Sequence, residues 1–243
     1  MEEISLKAQE LFTIGGFGIT NSLFQTLIVS VALMVVAVIC SRRIKIIPGT
    51  FQGGFEMGVE WFLGLMEGML GSMKKAEQYF PLVATIFIFI MASNLSGILP
   101  GVGSFYIERG YHEVSLFRSP AADLNFTLAF AVISVIVTNI IGMMAVGVFP
   151  HIGKFFNFKN PIMFFIGILE FVSEIAKVIS LSFRLFGNVF AGEVLLIIVF
   201  FLAPYVVPLP FLFLEIFVGV IQAFVFAMLT LVSISLHTAT HEH

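Results

Sequence analysis

Long apolar runs broken by short polar segments dominate this chain. Residues 22–40 read as one helix close to the ~20 residues needed to cross a bilayer. Residues 80–99 and 123–147 read as two more. Residues 162–202 are about twice the length of a perpendicular span, which predicts a strong tilt, a bend at Gly187 or Gly192, or one arm of a hairpin with 211–236. Pro204, Pro208 and Pro210 are expected to make the turn between them. Residues 50–78 differ in kind. Glu56, Glu60, Glu67 and Lys74 fall within about 40° on a helix while the apolar residues spread over other faces, so this segment is expected to lie at the interface. Residues 1–21 are short, acidic and Gly-rich and take no assignment. The expected fold is a single all-α polytopic membrane domain. It has about five membrane-embedded helices and one interfacial amphipathic helix, with the last two long helices tilted as a hairpin.

Composition agrees. The chain is 59% hydrophobic and only 11% charged, whereas soluble domains carry about 25% charged residues. A single cysteine, Cys40, excludes a disulfide framework within the chain and a cysteine zinc cluster. Glu2, Glu3 and Glu10 precede the first apolar run, the wrong sign for a cleaved signal. Lys and Arg sort by side. Arg42, Arg43, Lys45, Lys74, Lys75, Lys154 and Lys159 fall in segments assigned to the inside; Lys7, Arg109 and Arg118 fall outside. That bias predicts an external N-terminus and a cytoplasmic C-terminus. The loop 101–122 is a mixed-sign aqueous segment, and 149–161 is expected to be cytoplasmic.

Charges within the apolar runs carry the chemistry. Glu170, Glu174, Lys177, Arg184 and Asn188 lie within about 80° on one helix. Ionisable groups at membrane depth are costly and mark an ion or substrate path. Glu174 and Lys177, at i and i+3, also suit mutual neutralisation. Arg184 has no acid one turn away and cannot discharge by losing a proton, so its partner must come from elsewhere. On the last helix Glu215, Gln222, Ser233 and His237 lie within about 60°. Gln222 suits a hydrogen bond to Arg184 or Asn188. Asp123 fits either an N-cap or a channel role, with Asn125 and Thr127 beside it. Thr127, Ser134 and Thr138 share a face with Gly142 nearby, as close packing in lipid requires. His237, His241 and His243 in the tail are a weak metal pattern, and no metal or cofactor is expected.

The segment S-L-S-F-R-L-F-G-N-V-F-A-G-E (180–193) resembles the signature of the subunit a family of F-type ATP synthases, roughly S-L-x-x-R-L-F-G-N-x-x-A-G-E. S-N-L-S-G-I-L-P-G (93–101), A-D-L-N-F-T-L-A (122–129) and I-Q-A-F-V-F-A-M-L-T (221–230) are similar to further family motifs in order and spacing. The resemblance covers about residues 22–236. It implies a non-catalytic, ion-translocating subunit of a bacterial inner membrane. Its last two helices would be tilted against a ring of c subunits, with the b-subunit peripheral stalk and the remaining F0F1 subunits as partners. It implies that Arg184 faces the ring, with Asn188 and Gln222 near it. Glu193 would lie along the half-channel opening to the outside, with Glu170 near that same side and Glu215 on the path, and Glu174, Lys177, Ser180, Asp123, Asn125 and Asn94 would support it. The family pattern often has His where this chain has Glu215, so Glu193 and Glu215 are two acids that would more readily share a proton than relay one.

Two other readings use the same charges. A secondary transporter or stand-alone cation channel is disfavoured by the lack of internal repeats and of matched Gly/Pro-broken helices. An intramembrane protease needs a Ser/His, paired-Asp or HExxH set at membrane depth, and the candidates lack a His partner. No phosphate-binding loop and no nucleic-acid signature occurs.

Overall fold

The computed structural model describes residues 8–99, 102, 105–109, 112–153 and 161–239. Its frame is helical. α1 runs Asn21–Arg43, α2 Thr50–Leu70, α3 Met73–Ser96, α4 Leu124–Val146, α5 Val148–Gly153, α6 Pro161–Leu202 and α7 Pro208–Ala239. Five of these, α1, α3, α4, α6 and α7, are long and apolar enough to cross a membrane. The chain is a multi-pass α-helical membrane protein.

Several boundaries differ from expectation for local reasons. The segment 50–78 is not one helix: α2 stops at Leu70 because Gly71 adopts φ 71°, a left-handed C-cap whose N–H returns to Glu67 O, a conformation glycine takes without steric cost. Lys74 therefore belongs to α3 and leaves the acidic stripe of α2. α3 begins at Met73 rather than 80 and passes through Pro81. A proline removes one i→i−4 bond without necessarily ending a helix. Pro208 and Pro210 lie in the first turn of α7, not in the turn before it, where the missing N–H leaves nothing unpaired. α6 is continuous through Gly187 and Gly192 over 42 residues, so neither glycine interrupts it. At 1.5 Å per residue it is about 63 Å long, against about 30 Å of hydrocarbon.

The unassigned start forms a hairpin, β1 (Glu10–Ile14) against β2 (Phe17–Thr20), through a Gly15-Gly16 turn. The segment between α3 and α4 holds a second, β3 (Tyr106–Arg109) against β4 (His112–Ser115), and a 3₁₀ turn at Pro120–Ala122.

α7 is the centre of the packing, in contact with α2, α3, α4 and α6, while α4 also packs on α6 and α1 rests on α3. Ile90, Leu185, Ala223, Ala227, Leu231 and Ile234 are buried there. The shared face of α4 packs as expected. Thr127 Oγ1 meets Ser182 Oγ at 3.1 Å and Ser134 Oγ meets Thr230 Oγ1 at 2.9 Å. Phe62, Met66 and Leu70 seat the second half of α2, with Phe62 among Phe80, Phe87 and Phe224. Glu56, Glu60 and Glu67 stay exposed, as an interfacial helix requires.

Candidate functional site

α6 sorts its residues by side. Leu181, Ser182, Leu185 and Val189 are buried, while Ser180, Phe183, Arg184 and Asn188 are exposed. The apolar members repeat at i, i+4, i+8, so they bury one stripe and turn Arg184 away from the bundle. Arg184 Nη2 donates to Ser180 Oγ at 3.3 Å. Among the described residues no carboxylate pairs with it.

Towards the 202 end of α6, a cavity of about 220 Å³ opens between α3, α6 and α7, with Asn94, Asn188, Gly192, Glu215 and Gly219 on its wall. Asn94 Nδ2 donates to Gly219 O at 2.8 Å. Asn94 Oδ1 and Glu215 Oε2 are shielded from solvent and have no hydrogen-bond partner among the described residues. Gly192 permits the approach: a Cβ there would sit 3.0 Å from Glu215 Oε1.

Towards the 161 end, polar groups are paired instead. Glu174 Oε1 lies 2.6 Å from Lys177 Nζ and 3.3 Å from His237 Nε2. Asn139 Nδ2 donates to Glu174 Oε2 at 3.2 Å, and Asn139 Oδ1 meets His151 Nε2 at 3.1 Å. Arg184 stands between the two regions, about 15 Å along the axis from Glu174 and about 12 Å from Gly192 at 1.5 Å per residue.

The family model for the ATP synthase A chain matches residues 23–235. The chain belongs to that family. It is 36% identical over 226 residues to the ATP synthase subunit a of Moorella thermoacetica, covering 93% of this chain and 94% of that one. It is 35% identical to the subunit a of Campylobacter concisus, covering 90% of each chain, and 35% identical to that of Geobacter sulfurreducens, covering 88% of this chain and 86% of the other.

Within this family member the sequence-derived residues divide. Asn94, Asn188 and Glu215 share the cavity; Glu193 is half-buried and not on its wall. Gln222 is half-buried, and neither of its expected bonds, to Arg184 or to Asn188, is formed. Glu170 is half-buried near the 161 end of α6; because α6 is continuous, it lies about 34 Å along the axis from Glu193 at 1.5 Å per residue, not near the same side as the resemblance implied. Asp123 is an N-cap: its Oδ1 accepts from Asn125 N at 2.9 Å and its Oδ2 from Ser22 Oγ at 2.5 Å, which joins α1 to α4. Glu174 and Lys177 form the mutual pair that their spacing suits. Sequence reasoning missed Asn139 and His151, and placed His237 on the polar stripe of the last helix and in a weak metal pattern without finding its partner Glu174. Among the described residues no group of three or more His, Cys, Asp or Glu suits a metal, while His241 and His243 lie outside those residues. The signal for the first was a lone Asn inside an apolar run.

Proposed function

We propose that the chain is the ion-translocating stator subunit of a rotary F-type ATP synthase, with Arg184 facing the carboxyl groups of a ring of c subunits. The observation that carries the reading is an exposed guanidinium, on a helix long and apolar enough to cross a membrane, that hydrogen-bonds Ser180 and pairs with no carboxylate among the described residues. A permanent cation in that setting needs an anion from outside the chain. A carboxyl on a rotating ring supplies one that arrives and departs.

The physics of the cycle follows. A ring carboxyl facing lipid is neutral, because a bare carboxylate there is prohibitively costly. Opposite Arg184 it ionises, since a cation within a few Å favours the charged form. The released proton or sodium ion leaves by one aqueous half-channel and its replacement enters by the other. Arg184 between them repels a cation that would leak straight across. The membrane field supplies about 2.3 kcal/mol per charge per 100 mV. Asn94, Asn188 and Glu215 line part of the outward half-channel, which gives the buried Asn94 Oδ1 and Glu215 Oε2 a use. The chain itself makes and breaks no bonds. The b-subunit stalk and the rest of the F0F1 complex hold it still while the ring turns in the bacterial inner membrane.

In this reading the N-terminus is external and the C-terminus cytoplasmic. A cysteine replacing Gly49 is expected to label only from the cytoplasmic side and one replacing His112 only from outside; the reverse pattern inverts the path. The decisive experiment is Arg184→Ala in reconstituted complexes. ATP synthesis and ATP-driven pumping are expected to vanish while assembly persists and passive ion leak rises. Arg184→Lys is expected not to restore full function, because an ammonium lacks the planar donor fork. Near-normal synthesis by the Ala variant would sink the reading, and lost synthesis without leak would remove the barrier role of Arg184.

A further inference from the structure

The paired region on the other side of Arg184 has a proton count that its geometry dictates. His237 Nδ1 lies 3.2 Å from Thr138 O. A backbone carbonyl only accepts, so Nδ1 carries a hydrogen. The other ring nitrogen, Nε2, lies 3.3 Å from Glu174 Oε1. In a neutral ring Nε2 would then present a lone pair to a carboxylate, two acceptors facing each other. The contact therefore holds one proton more than a neutral imidazole and a carboxylate contain.

Its neighbours say where that proton sits. Lys177 Nζ donates to the same Oε1 at 2.6 Å, and Asn139 Nδ2 to Oε2 at 3.2 Å. Both carboxyl oxygens are thus accepting, which suits the ionised form. Asn139 cannot be turned over, because its Nδ2 also donates to Val135 O at 2.9 Å. This geometry suits a proton on His237 Nε2 and an imidazolium–carboxylate pair. His237 is 4% exposed, and a buried charge persists only when paired.

The packing around the rings is tight. The His151 and His237 rings meet edge to face, with centroids 5.4 Å apart. A Cβ at Gly142 would lie 2.7 Å from His151 Cε1 and 2.9 Å from His237 Cβ, so α4 leaves room for both imidazoles only by presenting glycine. Around His237 on α7, α6 carries the titratable Glu170, Glu174 and Lys177 and α5 carries His151, while α4 brings the neutral Thr138 and Asn139; α2 and α3, which also pack on α7, carry Glu67, Lys74, Lys75 and Glu77 at their adjoining ends. Lys177, 32% exposed, connects the pair to the open face of α6, where it lies within about 20° of Arg184.

We propose that Glu174 and His237 form a proton-binding site on the cytoplasmic side of Arg184, one that loads and releases a proton where the ion path meets the cytoplasm. This rests on reading α6 and α7 as that path. In loading, a proton arriving along the α6 face goes to His237 Nε2, with Glu174 as its counter-charge. In release, the Nε2–H bond breaks, the proton passes to water, and a neutral imidazole faces a carboxylate. The attraction then becomes repulsion and the last turn of α7 loosens from α6. Lys177 keeps Glu174 ionised in both states.

The test uses the intact complex in lipid with ¹⁵N-labelled histidine. Solid-state NMR at neutral pH is expected to show His237 with both ring nitrogens protonated, the signal being assigned by its loss in His237→Gln. Glu174→Gln is expected to convert that ring to a single neutral tautomer. A neutral His237 in the native complex, or an imidazolium that survives Glu174→Gln, would overturn the proposal. The same vesicles report function through ATP synthesis as the cytoplasm-side pH is varied at constant driving force. Glu174→Gln and His237→Gln should each lower synthesis per assembled complex and abolish the native pH profile. The exchanged double variant Glu174→His/His237→Glu should recover that profile. Native profiles in both single variants would overturn it, even with the NMR result in hand. Arg184→Ala separates the two claims: active Arg184→Ala complexes refute the ion path, whereas the NMR outcome concerns the pair alone.

Discussion

The two halves of the α6–α7 hairpin treat buried polarity in opposite ways. On the cytoplasm-assigned half, both oxygens of Glu174 have donors, supplied by Lys177, His237 and Asn139 from three helices. On the half towards residue 202, Glu215 Oε2 and Asn94 Oδ1 are buried with no partner among the described residues, beside a cavity of about 220 Å³. An unsatisfied buried acceptor costs roughly 1–3 kcal/mol, and more where no water reaches. The paired half ties α4, α6 and α7 together through Glu174. The unpaired half keeps acceptors ready for something that passes. Arg184 stands at the boundary, with neither arrangement.

The contrast can be broken by filling the open half or unpairing the closed one. The larger effect is expected at Gly192→Leu. Its Cβ would already sit 3.0 Å from Glu215 Oε1, and the remaining atoms would occupy the cavity. ATP synthesis should fall at least about tenfold, equivalent to about 1.4 kcal/mol on the barrier, in complexes that still assemble. Unchanged synthesis would show that the cavity is not on the path. The smaller effect is expected at Asn139→Leu, which strips the donor from Glu174 Oε2 and the acceptor from His151 Nε2. Thermal unfolding of the complex should show a loss of roughly 1–3 kcal/mol, with passive ion leak unchanged. A raised leak with unaltered stability would reverse the roles of the two halves.

Much of this was legible along the chain. Apolar runs marked five spans, and charge spacing placed Glu174, Lys177, Arg184 and Asn188 on one side of one helix. The hairpin at Glu10–Thr20 was not read, because its strands are four or five residues long and its Gly15-Gly16 turn lies in a glycine-rich stretch that reads equally as coil. α2 ends at Leu70, four residues before the basic pair Lys74-Lys75 and well inside the apolar-polar pattern of 50–78, and only the left-handed backbone at Gly71 locates that end.

The residue pattern by itself determined which faces are polar, how many helices suit a bilayer, and that Arg184 has no acid at helical spacing. These follow from local periodicity, fixed at 100° per residue. It did not determine which polar residues meet. Glu174 finds Asn139 and His237 on other helices, Asn94 finds Gly219 O across 125 positions, and Glu215 is left with an unpaired oxygen. Those pairings depend on where helices cross, which is set by the packing of α3, α4 and α6 on α7. A side chain's angle on its own helix says nothing of the helix it will face. Tertiary structure therefore decided which charges of one stripe are neutralised in place and which remain open to a partner from outside.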